Sequence, residues 1–67
     1  MRKAALGARR KVDCSFECPA RGRIDFGIWP RAGETSTDAA WRGLRDVAKV
    51  DTAQIPHCKL LRARYVD

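Results

Sequence analysis

The chain has 67 residues and a mass of about 7.5 kDa, enough for one small domain and too little for a two-domain enzyme or a repeat array. Hydrophobic residues make up 45% and charged residues 33%, which is typical of a globular protein and excludes an intrinsically disordered chain. The formal net charge is +6, so an anionic partner is a natural candidate.

The positive charge is concentrated at the N-terminus. Residues 1–11 contain five basic side chains and no acidic one, whereas residues 12–67 contain 9 basic and 8 acidic side chains. We therefore predict a flexible basic arm at 1–11 and a single domain at 12–67. A short basic arm can hold phosphates or simply keep the protein soluble, and both roles remain open at this stage.

Residues 11–29 have the alternating pattern of a β-hairpin. One buried side is expected to hold Val12, Cys14, Phe16 and Cys18, followed after the turn at 19–22 by Ile24, Phe26 and Ile28. Because a one-residue slip would turn one apolar set outward, only even registers are allowed. Cys18 can then pair with Ile24 or with Gly22, and the sequence does not choose between them.

A helix and a third strand follow the hairpin. The loop at 30–37 offers the N-cap candidates Thr35, Ser36 and Thr37, and an apolar stripe at helical spacing predicts an amphipathic helix over 38–50. Gly43 inside that helix indicates either a close approach to the sheet or a weak point.

Alternation returns over 58–66. We expect Leu61, Ala63 and Tyr65 to face the core, and Arg62 and Arg64 to point outward. The resulting fold class is α+β. A small antiparallel sheet, formed by the hairpin and a C-terminal strand, carries one amphipathic helix on one face, in the order β-β-α-β.

The three cysteines and the one histidine do not form a convincing metal set. Cys14 and Cys18 lie about 13 Å apart on an extended strand, which excludes both a shared zinc ion and a disulfide between them. His57 and Cys58 are adjacent and diverge if they lie in a strand. We therefore predict inert core cysteines, no metal and no cofactor.

The sequence contains no catalytic signature and no membrane span. Phosphate-binding glycine motifs and a nucleophile motif are lacking, and the acidic residues are scattered, so we predict that the protein is not an enzyme. The longest apolar stretch near the start is 4–8, well short of the roughly 20 residues that cross a bilayer. We expect a cytoplasmic protein.

Residues Gly33, Glu34 and Thr35, followed by 38–40 (Asp-Ala-Ala), resemble the strand-to-helix step of HicB-type antitoxins. This resemblance implies a partner toxin that attacks RNA, with the basic arm contributing to DNA or toxin contact. The hairpin-then-helix order is also similar to that of double-stranded-RNA-binding domains, although Asp38 stands where their helix begins with basic residues.

These observations predict a small non-enzymatic binding module. Its nucleic-acid contacts are expected in the arm and on the last strand, at Arg2, Lys3, Arg9, Arg10, Lys11, Arg62 and Arg64. The alternative is a protein-binding inhibitor or antitoxin-like partner of phage or plasmid type. It would act through a sheet edge or a patch around Trp29 and Arg31, and a homodimer through the same edge is a further option. Trp29 either covers the edge of the core or is exposed for stacking.

Overall fold

The computed structural model describes residues 10–66. Three strands form one antiparallel sheet: β1 (Lys11–Cys18), β2 (Gly22–Ile28) and β3 (Lys59–Val66). The helix α1 (Ser36–Asp46) follows β2, and one 3-10 turn (Ile55–His57) precedes β3. The sheet order is β2-β1-β3, so β1 lies in the centre. The predicted α+β class and the order β-β-α-β are confirmed.

The hairpin adopts the register in which Cys18 pairs with Gly22. Phe16 then lies opposite Ile24, and Val12 lies opposite Ile28. This arrangement closes the hairpin with the three residues 19–21 and pairs β1 with β2 from Cys18 to Val12. All apolar side chains of the two strands remain on one face, as the alternation predicts.

The core lies between that face and α1. Its fully enclosed members come from β1 and from the helix: Val12, Cys14, Phe16, Ala39, Ala40 and Leu44. The Trp41 ring meets the Phe16 ring edge-on, with centroids 4.8 Å apart, so Trp41 is part of the packing as expected. A Cβ atom on Gly43 would overlap the Phe26 ring and Ile28, which means that this glycine allows the helix to approach β2 closely.

The helix differs from its predicted bounds of 38–50 at both ends. It begins earlier because the Thr35 hydroxyl caps it, accepting a hydrogen bond from the Asp38 amide at 3.0 Å. It ends at Asp46, and the chain then turns through Lys49 at a φ of 59°. Val50 is buried beyond this turn, while Val47, which the apolar stripe includes, is 48% exposed.

The third strand also differs from the prediction, because a bulge interrupts its pairing with β1. Ser15 pairs with Arg62 but Phe16 pairs with Leu60, so Leu61 is the extra residue. Leu60 and Ala63 therefore pack on the core, whereas Leu61 and Tyr65 are each 42% exposed. The prediction that Leu61 faces the core is wrong, and that for Ala63 is correct. Tyr65 lies on the predicted side, opposite Val12, but is only partly buried near the end of the strand.

Two of the cysteines form a disulfide that the sequence analysis did not predict. Cys18 ends β1 and Cys58 immediately precedes β3, and their sulfurs are bonded across the end of the sheet. The interpretation of all three cysteines as inert thiols is therefore wrong for this pair. It holds for Cys14, because burial, followed by the nearby Asp13 charge, raises the pKa of this enclosed thiol to about 11.

Candidate nucleic-acid interface

One end of the sheet gathers cations and exposed aromatic rings. At this end β1 begins and β2 and β3 finish, so antiparallel pairing brings their terminal residues together. We call it the basic end and define it by Arg10, Lys11, Trp29, Arg31, Arg64 and Tyr65. The disulfide lies at the opposite end, and residues 1–9 join the domain at the basic end.

Trp29 is the most exposed large apolar side chain of the basic end, at 58%. It follows β2 directly, and continuing the register beyond Val12–Ile28 sets it beside Lys11. The Lys11 stem crosses Gly27, where any larger residue would collide with it. Of the two alternatives for Trp29, its exposure favours a ring available for contact over one that covers the core.

Tyr65 and Arg10 form the second aromatic element of the basic end. The Arg10 guanidinium carbon lies 4.8 Å from the centroid of the Tyr65 ring, within the range of a cation–π interaction. Tyr65 pairs with Val12 and is therefore held by the sheet on one side. The pair places a planar cation and an aromatic ring next to each other at the point where the arm begins.

A clamp between Glu34 and Arg42 fixes the loop that borders this end. The two Glu34 oxygens accept hydrogen bonds from Arg42 Nε and Nη2, both at 2.9 Å, and Arg42 Nη2 also donates to the Trp29 carbonyl at 3.1 Å. The Arg31 amide donates to Glu34 at 2.8 Å. These bonds, above all those from Arg42, lower the pKa of Glu34 to about 2.

The loop itself is a tight turn. The Glu34 amide donates to the Arg31 carbonyl at 3.0 Å, and Gly33 has a φ of 80°, the conformation that a type II turn requires at its third position. The Arg31 side chain is exposed on this turn. Its backbone is therefore fixed from both sides while its guanidinium faces outward.

A cleft of about 340 Å³ opens between this turn and the start of β1. Its walls come from the turn on one side and from the cation–π pair on the other, and they consist of Arg10, Pro30, Arg31, Ala32, Gly33, Glu34 and Tyr65. The cleft combines two guanidinium groups with a phenol ring and a proline ring.

A network of charged side chains occupies the sheet face opposite α1, which we call the uncovered face. Arg62 Nη2 lies 2.9 Å from Asp13 and 3.4 Å from the Ser15 hydroxyl. The fully buried Ser15 hydroxyl donates to Asp25, and this bond is the main reason why the pKa of Asp25 is lowered. Arg23 lies 3.4 Å from the same carboxylate.

This network separates the two basic residues predicted as contacts on the last strand. Arg62 is engaged with Asp13 and Ser15, and its Nε is enclosed without a hydrogen-bond partner among residues 10–66. Arg64 is exposed and lies two pairs further along the ladder, within the basic end. The fold thus places Arg10, Lys11, Arg31, Arg64 and Trp29 at the same end of the sheet, whereas Arg62 is engaged by neighbours on the uncovered face. Arg2, Lys3 and Arg9 lie outside the described residues.

Two features of this end were not predicted from the sequence, namely the exposure of Tyr65 and the clamp between Glu34 and Arg42. Alternation places Tyr65 on the core side, and the sheet does set it opposite Val12, but Tyr65 lies near the end of β3 and is 42% exposed there, which alternation alone does not indicate. Glu34 and Arg42 are eight residues apart, with a loop between them, so no helical or strand spacing links them. The available signal for the clamp was the acidic Glu34 just before the helix, together with the basic Arg42 within the first two turns of that helix.

Within the described part of the chain, no group of three or more His, Cys, Asp or Glu side chains is placed to hold a metal ion. None of the helical segments over 10–66 has the length and apolar content of a bilayer span. Compared with known proteins, the chain matches no family model, no curated protein and no solved structure. The resemblance to HicB-type antitoxins at residues 33–40 is therefore unsupported by any match.

Proposed function

We propose that this protein is a non-enzymatic module that contacts nucleic acid with its basic end and the attached basic arm. Phosphates would be held by Arg2, Lys3, Arg9, Arg10, Lys11, Arg31 and Arg64. Trp29 would stack on a base. The observation that carries the proposal is the position of the exposed Trp29 among cations at the end of the sheet from which the arm extends.

Charge and aromatic character support each other in this proposal. Proteins that bind single strands combine a basic surface with aromatic rings, each stacked base contributing about 1–3 kcal/mol. The arm supplies sequence-independent attraction through the release of counterions. Because the uncovered face pairs its own cations with acids, the net positive charge is concentrated at the basic end.

The test is binding of a labelled oligonucleotide of about 16 residues, followed by fluorescence anisotropy at several salt concentrations. Wild-type affinity should fall steeply between about 50 and about 200 mM salt. Replacing Arg2, Lys3 and Arg9 with Gln in the full chain should reduce the slope of log K against log salt by about 2 for a single strand, since each phosphate contact contributes about 0.7. Truncation at residue 11 is less suitable, because Lys11 is the first residue of β1.

Two variants refine this test. Trp29→Ala should weaken single-strand binding about tenfold without changing the salt slope, because stacking releases no counterions. Lys59→Ala removes an exposed cation next to the disulfide end and serves as the matched control, with binding unchanged. Salt-independent binding, or equal losses in the control and in the arm variant, would contradict the proposal.

The exposed edge of strand β3 supports a second candidate function, in which a protein partner adds a strand to the sheet. β3 is an edge strand, and Leu61 and Val66 on it are 42% and 47% exposed. The same strand carries three basic residues, Lys59, Arg62 and Arg64, so self-pairing in antiparallel fashion would oppose like charges. An acidic segment is therefore favoured as partner over a second copy.

Sedimentation of the protein alone over a wide concentration range tests the homodimer. We expect a monomer throughout. A dimer that is abolished by Leu61→Lys would contradict the charge argument and favour a homodimer through the β3 edge.

We retain a cytoplasmic location as a proposal, and it requires the Cys18–Cys58 pair to be open there. Disulfides are rare in the cytosol, where thiols are kept reduced. Acid quenching and alkylation of the protein in cells should then label all three cysteines. Labelling of Cys14 alone would place the protein in an oxidising compartment.

A further inference from the structure

The backbone that joins Trp29 to Arg31 is held by two side chains from outside this segment. The Trp29 carbonyl accepts a hydrogen bond from Arg42 Nη2 at 3.1 Å, and the Arg31 amide donates to Glu34 Oε1 at 2.8 Å. Between them stands Pro30, whose ring fixes its own φ and restricts the residue before it to extended conformations. The short link between Trp29 and Arg31 therefore has little conformational freedom.

Arg42 and Glu34 are also bonded to each other, so the two holds act as one. Arg42 Nε and Nη2 donate to different oxygens of Glu34, both at 2.9 Å, which is the bidentate geometry that binds arginine to a carboxylate most strongly. The two side chains are only 14% and 15% exposed, so salt screens this pair weakly. Loss of Arg42 would therefore free the Trp29 carbonyl and would also remove the bonds that fix Glu34.

The two side chains that this segment carries are both exposed. Trp29 is 58% exposed, and Arg31 lies on the surface of the turn. The charge of Arg31 contributes to the lowered pKa of Glu34 and of Asp46, but the oxygens of both acids already accept hydrogen bonds from other arginines. Two residues of extended chain span at most about 7 Å. The segment thus carries a flat ring and a cation at a short spacing that the clamp maintains.

A single strand of nucleic acid offers the matching pair of groups. Each of its units has a flat base that can stack on an aromatic ring, and a neighbouring phosphate that can pair with a guanidinium. In a duplex the bases are stacked on each other, and the phosphates alone remain within reach. Because the segment is ordered before binding, the two contacts would form together without the entropy loss that a flexible loop incurs.

We propose that Trp29 and Arg31 form one two-point contact for a base and its neighbouring phosphate in a single strand, and that Arg42 and Glu34 are positioning residues that maintain it. The inference rests on the proposed function and narrows its ligand to single strands.

Arg42→Lys in the full chain tests the positioning role, because it keeps the charge but loses the planar fork that reaches both Glu34 oxygens and the Trp29 carbonyl. We expect its affinity for a single-stranded oligonucleotide to fall about fivefold, since the contact must now be ordered on binding. Its affinity for a duplex of the same sequence should stay within about twofold, with an unchanged salt slope. Arg45→Lys is the matched control, an exposed arginine on the same helix that bonds Asp46, and it should change neither affinity.

A double-mutant cycle tests the two-point contact without altering the clamp. Trp29→Ala should weaken single-strand binding about tenfold, and Arg31→Gln should weaken it about threefold. Since either change breaks the shared contact, the double variant should lose about tenfold, whereas independent contacts would give roughly thirtyfold. Duplex binding should not respond to Trp29→Ala, because paired bases are not available to the ring.

The outcomes separate this inference from the proposed function. A thirtyfold loss in the double variant overturns the two-point contact. An unchanged single-strand affinity in Arg42→Lys, or equal losses for single strand and duplex, overturns the positioning role; circular dichroism verifies that this variant is folded, and if it is not, the cycle decides. Nucleic-acid contact stands in all these cases if the wild type binds with a steep salt dependence. Binding of neither ligand by the wild type, or binding that is independent of salt, overturns both proposals.

Discussion

Reduction of the Cys18–Cys58 disulfide should remove much of the stability of this domain. The bond closes a loop with a sequence separation of 40 residues. In the chain-entropy account, a loop of that length restricts the unfolded state by about 4 kcal/mol at 25 °C. A domain of this size has a total unfolding free energy of roughly 3–10 kcal/mol, so the disulfide contributes a large fraction of it.

Urea denaturation with and without a phosphine reductant measures this contribution. With a slope of about 1 kcal/mol per molar urea, the midpoint should fall by about 4 M on reduction. Thiol titration in denaturant verifies the redox state, with one free thiol expected before reduction and three after it.

Two cysteine variants are the controls. Cys58→Ala should be as unstable as the reduced protein and insensitive to reductant. Cys14→Ala keeps the disulfide, so its urea midpoint should still fall on reduction. Before reduction its midpoint should already be below that of the wild type, because core packing is lost. A fully reduced wild-type protein with an unchanged midpoint would refute the assignment of stability to this bond.

Three further changes test the packing and the electrostatics. Gly43→Ala should destabilise by about 1 kcal/mol in urea, because the overlap with Phe26 exceeds the gain in helix propensity; a more stable variant would show that the helix can shift. The depressed pKa of Glu34 contributes stability that is present above about pH 4.5 and lost as pH falls toward about 2. Melting curves of Glu34→Gln should therefore lack this part of the acid dependence, and parallel wild-type and variant profiles would argue against the Arg42 clamp. Lys49→Gly should stabilise by about 0.5–1 kcal/mol, since glycine adopts the left-handed conformation without strain; a loss of stability in urea would contradict that reason.

Local sequence patterns were sufficient to predict the strands and the helix, and insufficient to predict where the helix ends. Strict alternation from Lys11 to Cys18 predicted β1, because successive residues of a strand point to opposite faces and the local sequence alone shows this pattern. The helix end could not be predicted, since Lys49 is a residue that ordinarily continues a helix and the turn depends on the burial of Val50.

Long-range features were the least accessible to sequence reasoning. The disulfide depends on β1 and β3 being neighbours, with Glu17 opposite Lys59, and no local spacing encodes which strand takes the centre of a sheet. The bulge at Leu61 then reversed the phase of half of β3, which moved Leu60 inward. The basic end, by contrast, was partly predictable, because the two even registers of the hairpin set Lys11 opposite either Trp29 or Arg31, and both residues belong to that end.

The ion network on the uncovered face has a consequence for how these molecules behave at high concentration. Stacking two sheets face to face would strip water from Asp13, Arg62, Asp25 and Arg23, whose bonds are already made within each molecule. Such dehydration costs several kcal/mol per ion and would yield no new partners in return. The uncovered face of the sheet therefore disfavours self-association, which leaves the basic end and the sheet edges open to partners of opposite charge.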